Sequence, residues 1–340
     1  MDLLWPVLAL VLSFIISIIV GKVLIPLLYK LKFGQTILSE YGPTWHAKKQ
    51  GVATMGGFIF IISSVISFLL FGFPYYSKGL ESSNTSSVWL PSAGVAALVV
   101  ALLFGLMGFA DDFVKVVKKR NLGLSAIQKI ILQVLISAAY IAYIAVRNGF
   151  DTSMRLPFSD MRLEFSYFYY IIAFIIIIGF TNAVNLTDGI DGLASGVTLP
   201  VMAMFTIIAV FSAQPRTEIS VLSAAVFGGI FGFLLYNRYP AKVIMGDTGS
   251  MFLGGMVCVL AFELDIPLAL LIFGIIYLIE AFSVILQVLY FKATHGKRIF
   301  KMSPIHHHFE MSGWSENKIV AVFSIISLAA CAVVAVWLLV

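Results

Sequence analysis

Ten apolar stretches run through the 340 residues, and they restrict the chain to folds that satisfy their own backbone. A helix needs about 20 mostly apolar residues to cross roughly 30 Å of hydrocarbon. Inside that layer every N–H and C=O must pair within the protein, which favours helices. The stretches cover residues 3–29, 55–73, 94–110, 127–146, 167–181, 193–211, 219–236, 250–262, 267–291 and 318–339. With 60% hydrophobic and 11% charged residues, an ordinary soluble domain is excluded. The expected fold is an all-α polytopic membrane protein, a single domain over residues 1–340 with about ten transmembrane helices. The eighth stretch is short and glycine-rich, which predicts a tilted or shielded helix. The ninth is long and carries Glu280 and Gln287, which predicts a break or an early exit from the bilayer.

Charge sets the orientation. Of the 22 lysines and arginines, 14 fall in loops after odd-numbered stretches and five in loops after even-numbered ones. That bias puts the odd loops on the cytoplasmic side and both termini on the outer side. The start, Met1-Asp2-Leu3, has no basic run before its apolar stretch and reads as a retained first span with no signal peptide. Cys258 and Cys331 sit in apolar runs, as small packing residues rather than a disulfide framework. Residues 155–165 alternate apolar and polar around Pro157-Phe158-Ser159-Asp160, which predicts a small outer hairpin between spans 4 and 5.

Five aspartates, Asp111, Asp112, Asp188, Asp191 and Asp247, lie at the ends of apolar runs, all on the expected cytoplasmic side. A carboxylate within a bilayer costs about 2.5–3.5 kcal/mol. Acids held at the membrane margin therefore suggest a metal ion and a phosphate-bearing substrate. In Gly108-Phe109-Ala110-Asp111-Asp112-Phe113-Val114-Lys115 the two acids point about 100° apart on a helix and would serve different partners. Lys115, three residues after Asp112, shares its face. The plainer reading is a charged pair marking the end of a span.

Asn182-Ala183-Val184-Asn185-Leu186-Thr187-Asp188-Gly189-Ile190-Asp191-Gly192 holds two acids that would share a face if helical, and no lysine or arginine to pair with them. A turn-rich connector has a similar composition. In Met245-Gly246-Asp247-Thr248-Gly249-Ser250, Asp247 can cap the following helix or hold Mg²⁺ beside phosphate. Pro304-Ile305-His306-His307-His308-Phe309-Glu310 offers hydrogen bonds to a diphosphate or sugar, or is a solvated loop; its spacing does not suit structural zinc. His46-Ala47-Lys48-Lys49-Gln50-Gly51-Val52-Ala53-Thr54-Met55-Gly56-Gly57 is similar to a phosphate-holding turn at a span entrance.

Together these segments resemble the polyprenyl-phosphate N-acetylhexosamine-1-phosphate transferase superfamily over nearly the whole chain. Asp-Asp-x-x-Lys, Asn-Leu-Thr-Asp-Gly-Ile-Asp-Gly-Leu-Ala and Met-Gly-Asp-Thr-Gly-Ser carry the likeness, and Pro-Ile-His-His-His-Phe-Glu points to the muramoyl-pentapeptide branch. The resemblance implies that undecaprenyl phosphate attacks UDP-N-acetylmuramoyl-pentapeptide, giving lipid I and UMP with Mg²⁺ required, the first membrane step of peptidoglycan synthesis. It implies a homodimer in the bacterial plasma membrane, with a lipid-accessible groove beside a cytoplasmic active-site cleft and no nucleic-acid partner. Asp247 would be the principal magnesium ligand, and Asp111 and Asp112 the acidic pair handling the lipid phosphate, with His306 also catalytic. Lys49, Thr54, Lys115, Lys129, Asn185, Asp188, Asp191, Asn237, His306, His307 and His308 would line the nucleotide and diphosphate site.

Two positions depart from the family pattern. Val52-Ala53 stands where Thr-Pro is usual, and Ile244 where an aromatic residue usually precedes Met-Gly-Asp. A sister transferase moving N-acetylglucosamine-1-phosphate would share the acids. An ion-coupled transporter would carry acids deep in its spans, where only Glu280 qualifies.

Overall fold

The computed structural model describes residues 3–31, 51–72, 90–118 and 122–340. The helices are α1 (Leu4–Lys30), α2 (Gly57–Phe71), α3 (Ala93–Val117), α4 (Ala126–Arg147), α5 (Phe168–Thr187), α6 (Leu193–Phe211), α7 (Thr217–Asn237), α8 (Gly246–Glu263), α9 (Ile275–Ala293), α10 (Ile305–Glu310) and α11 (Glu316–Leu339). Each predicted apolar stretch overlaps a helix among the described residues. Eight helices among the described residues are long and apolar enough to cross a membrane, namely α1, α3, α4, α5, α6, α7, α9 and α11. Of the other three, α2 is apolar but has 15 residues, α8 has 18 and α10 has six. The chain is a multi-pass helical membrane protein.

Boundaries move where polar residues find partners. Helix α3 continues to Val117, seven residues beyond the predicted end, because Lys115 pairs with the acids on its own face. Helix α5 runs to Thr187, past the predicted 181; the Asn182 amide donates to the Ile178 carbonyl at 2.8 Å and exchanges hydrogen bonds with Gln133 at 3.0 Å. The ninth stretch breaks into a 3-10 turn (Pro267–Ala269), one α-helical turn (Leu270–Phe273) and α9, which starts after Gly274.

Helix α8 is the core of the bundle. Every residue from Thr248 to Glu263 is buried, as α3, α5 and α2 pack around it. Small residues let the backbones close: a Cβ at Gly108 of α3 would lie 2.1 Å from the Asp247 carbonyl oxygen, and one at Gly228 of α7 the same distance from that of Leu10 in α1. The outward faces are apolar, as in the α1 row Leu4, Val7, Val11, Ile15, Ile19 and Val23, which suits lipid surroundings.

The C-terminal ends of α3, α5 and α7 meet the N-terminal ends of α4, α8 and α6, through Asp111–Lys129, Asn185–Asp247 and Asn237–Ser195. The other end carries the predicted hairpin, β1 (Ser153–Arg155) paired antiparallel with β2 (Arg162–Glu164). Arg162 reaches Asp265 beyond α8, and Arg147 of α4 pairs with buried Glu263, which also accepts from the Tyr140 hydroxyl at 3.1 Å. These ties close the hairpin end and leave the acid-bearing end as the place for chemistry.

Candidate active site

Asp111 and Asp112 sit almost fully buried on the last turns of α3 and serve different partners, as their angular separation predicts. The Asp111 carboxylate meets Lys115 Nζ at 2.6 Å and Lys129 Nζ at 3.0 Å, and accepts from the Leu124 backbone N–H at 2.7 Å. A Cβ at Gly123 would lie 2.2 Å from Asp111 Oδ1, so this approach needs glycine. Lys129 is held on the first turn of α4 by a capping box, in which Ser125 and Gln128 exchange side-chain and backbone hydrogen bonds.

Asp112 Oδ2 accepts from the Thr248 N–H at 2.9 Å and its hydroxyl at 2.8 Å. Of the two readings of Asp247, the plain cap is therefore not the one the structure shows. Asp112 reaches across from α3 to satisfy the α8 N-terminus, and Asp247 is left facing the lysines. Asp247 Oδ2 lies 2.9 Å from Lys115 Nζ and 3.3 Å from Lys129 Nζ. Its Oδ1 accepts from Asn185 Nδ2 at 3.0 Å, and Asn185 also donates to Ser250 Oγ at 2.8 Å. Lys115 stands nearer Asp111 and Asp247 than Asp112, from which it is 3.8 Å away.

One carboxylate oxygen from each of Asp111, Asp112 and Asp247 lies within 4.8 Å of the others, a group that can hold a metal ion. The donors are all oxygen, which suits a hard divalent cation over a soft one. Three carboxylates against two ammoniums leave a net negative charge when all are ionised. Asp188 stands half-buried beside it at the end of α5. Burial and the neighbouring Asp247, Asp112 and Asp191 raise the Asp188 carboxyl well above its usual range, although the Gly246 N–H opposes that. A carboxyl so placed binds a proton or a cation in preference to standing ionised and unpaired.

Asp188 and Asp191 do not share a helical face. Asp188 ends α5, and Gly192, at φ 79°, turns the chain into α6. Asp191 instead ties loops: its N–H donates to Glu316 at 3.1 Å, and its Oδ2 accepts from the Ala241 N–H at 2.9 Å. Asn237 does the same, accepting from Gly192 N–H and Ser195 Oγ at 3.2 Å each and donating to the Val243 carbonyl at 3.1 Å.

The 52–57 segment is laced to the extended residues 243–245 before α8. Ile244 N–H donates to the Ala53 carbonyl at 2.8 Å, Gly56 N–H to the Ile244 carbonyl at 2.9 Å, and Gly57 N–H to the Met245 carbonyl at 3.0 Å. Ala53 and Ile244 act here through their backbones, so their departure from the family pattern leaves this lacing intact. Gly246 adopts φ 75°, and a Cβ there would meet Asp112 Oδ2 at 2.6 Å and Thr54 Oγ1 at 2.8 Å. Thr54 thus borders the acids, whereas Lys49 lies outside the described residues.

The three histidines have separate partners. His306, with no exposure, pairs through Nδ1 with Glu280 Oε2 at 2.9 Å. His307 pairs through Nδ1 with Glu310 at 2.6 Å, and His308 Nδ1 accepts from the Lys301 N–H at 3.1 Å. Sequence reasoning left Thr248, Ser250 and Leu124 without roles, and Glu280 without a firm one. Only Glu280 carried a signal, as a lone acid in an apolar helix.

A lipid-facing bundle with a recessed carboxylate–lysine centre at one end defines a polytopic membrane protein built around a cation- and phosphate-compatible site. The sequence model of glycosyl transferase family 4 matches residues 95–265, from α3 through α8. The chain belongs to that family. It is 46% identical over 313 residues to the phospho-N-acetylmuramoyl-pentapeptide-transferase of Listeria monocytogenes serotype 4b (strain CLIP80459), covering 92% of this chain and 91% of that one. The protein of the same name from Clostridium botulinum (strain Alaska E43 / Type E3) is 45% identical over 323 residues, 95% of this chain and 93% of its own. That from Bacillus cytotoxicus is 44% identical over 311 residues, with 92% and 91% covered.

Proposed function

We propose that the chain transfers phospho-N-acetylmuramoyl-pentapeptide from UDP-N-acetylmuramoyl-pentapeptide to undecaprenyl phosphate, releasing UMP and forming lipid I. The observation that carries this reading is the likeness, across more than nine-tenths of the chain, to transferases of that name, joined to the Asp111–Asp112–Asp247–Lys115–Lys129 cluster. A lipid-phosphate oxygen attacks the sugar-bearing phosphorus of the donor. The new P–O bond forms as the bond from that phosphorus to the bridging oxygen breaks, and UMP departs with the electron pair. Such a transfer between anions needs positioning and charge neutralisation more than a protein nucleophile, so a single displacement suffices.

In this reading Lys115 and Lys129 turn from their carboxylate partners to the donor phosphates and stabilise charge on departing UMP. Asp111 handles the lipid phosphate, taking its proton when it arrives protonated. Asp247, with Asp111 and Asp112, would hold Mg²⁺, which when bound supplies further neutralisation of the diphosphate. Asn185 orients Asp247, Asp112 anchors the α8 N-terminus, and Asp188 and Thr54 border the diphosphate. The cluster end faces the cytoplasm, ten helices cross the membrane and both termini lie outside, as the cation bias of the loops favours. A homodimer belongs to the same reading and rests on family resemblance.

The test compares UMP release from UDP-N-acetylmuramoyl-pentapeptide and from UDP-N-acetylglucosamine, with undecaprenyl phosphate and Mg²⁺. Release from the first and none from the second is expected. The reverse pattern would assign the sister reaction, and substrate uptake into proteoliposomes without product would revive a transporter.

A further inference from the structure

We infer that Glu280 is a positioning residue of this site, holding His306 against the Asp188–Gly189 turn. The kinetic part of its test rests on the transferase reading; the structural part does not. Glu280 lies on α9 and His306 on α10, and both are fully buried. A buried carboxylate without a partner is strongly disfavoured, and His306 Nδ1, 2.9 Å away, is the partner the fold supplies. In this inference Glu280 accepts and Nδ1 donates, so that the bond sets both the ring orientation and the nitrogen that carries hydrogen.

The opposite ring edge points at the acidic turn. His306 Nε2 has no hydrogen-bond partner among the described residues. A Cβ added at Gly189 would lie 2.2 Å from Nε2 and 2.5 Å from Cε1, so the ring fits against the backbone only because Gly189 has no side chain. Gly189 directly follows Asp188. On one face the His307 ring lies 4.1 Å away, and His307 is held by its own carboxylate, Glu310. The imidazole is thus fixed at Nδ1, packed by its neighbour and set against the peptide that carries Asp188. With no exposure it acts on the reaction through that turn rather than by touching the diphosphate. This also gives Glu280 a place in the site without a role in transport.

The test uses the full chain in lipid nanodiscs. Glu280→Ala should lower kcat by about 10–100-fold, the range known for removal of a carboxylate that orients a metal-ligating histidine. The KM for the UDP-linked donor should stay within about threefold, since the binding groups remain. Glu280→Gln keeps an acceptor oxygen and should retain part of the rate. Nitrogen-15 spectra of His306 should show hydrogen on Nδ1 in the unmodified protein and a changed pattern in Glu280→Ala. Gly189→Ala breaks the contact from the other side, so its loss should not add to that of Glu280→Ala. Unaltered kcat, an unaltered His306 spectrum or additive losses would each overturn the inference. Should Glu280→Ala fail to fold, Glu280→Gln and Gly189→Ala carry the same comparison. An unmodified protein that releases no UMP would instead overturn the transferase reading, while the His306 spectrum still decides the pairing.

Discussion

Asp247 is the residue where the charges of the site meet, because both lysines and Asn185 converge on its two oxygens. Replacing it with asparagine keeps the size and removes the charge. Asp247→Asn should lower UMP release by at least about 10²-fold, as loss of one preorganised electrostatic group does. Thermal melts with and without Mg²⁺ should show that the variant no longer gains stability from the cation. Near-normal turnover would sink the metal assignment. Asp188 makes the opposite case, a charge the fold resists. Its carboxyl is raised, so in the folded state it holds a proton more tightly than in the unfolded chain. The stability this contributes is present at low pH and declines as pH rises through the raised folded value. In metal-free protein, Asp188→Asn should therefore melt higher than the unmodified chain at neutral pH and alike in acid. A melting series across pH checks this, and a lower neutral melting temperature would show that ionised Asp188 stabilises the fold. The same variant should lose activity, the familiar cost of a strained functional group.

At the scale of elements, the site depends on how closely α3 approaches α8. Gly108 places the α3 backbone against the Asp247 carbonyl, which brings Asp111 and Asp112 within reach of the α8 N-terminus. Gly108→Ala must push the two helices apart, since the obstructing atom belongs to the backbone. A loss of about 1–3 kcal/mol in stability is expected from such overpacking, with a fall in kcat as Asp111 and Asp247 separate. Denaturation and turnover measured on one preparation would show both; an unchanged kcat would mean that the acids do not act as one unit. The same close packing explains the element boundaries. Helices α3 and α5 outlast their apolar runs because Lys115, Asn182 and Asn185 have partners on neighbouring helices, Lys115 through Asp247.

Across the whole molecule, the chemistry is confined to one end and the hairpin to the other. If the acid-bearing end faces the cytoplasm, a cysteine at exposed Lys242 should react with an impermeant thiol reagent only from the inner side of oriented vesicles. One at exposed Asp160 in the hairpin should react only from the outer side. Labelling of both from one side would break the bundle's proposed orientation. Cys258 and Cys331 are buried and should stay silent in this assay.

Hydrophobic patterning alone carried the all-helical, multi-pass character, because a run of apolar residues has few ways to satisfy its backbone in lipid. Periodicity placed Asp111 and Asp112 on different faces, and the alternating 155–165 segment predicted the hairpin. Partner choice was not legible. That Asp112 rather than Asp247 satisfies the α8 N-terminus, that Asp188 and Asp191 part company, and that Glu280 meets His306 depend on where separate helices cross. Those crossings follow from side-chain packing between segments up to 136 residues apart, as for Asp112 and Thr248, and local spacing holds no record of them.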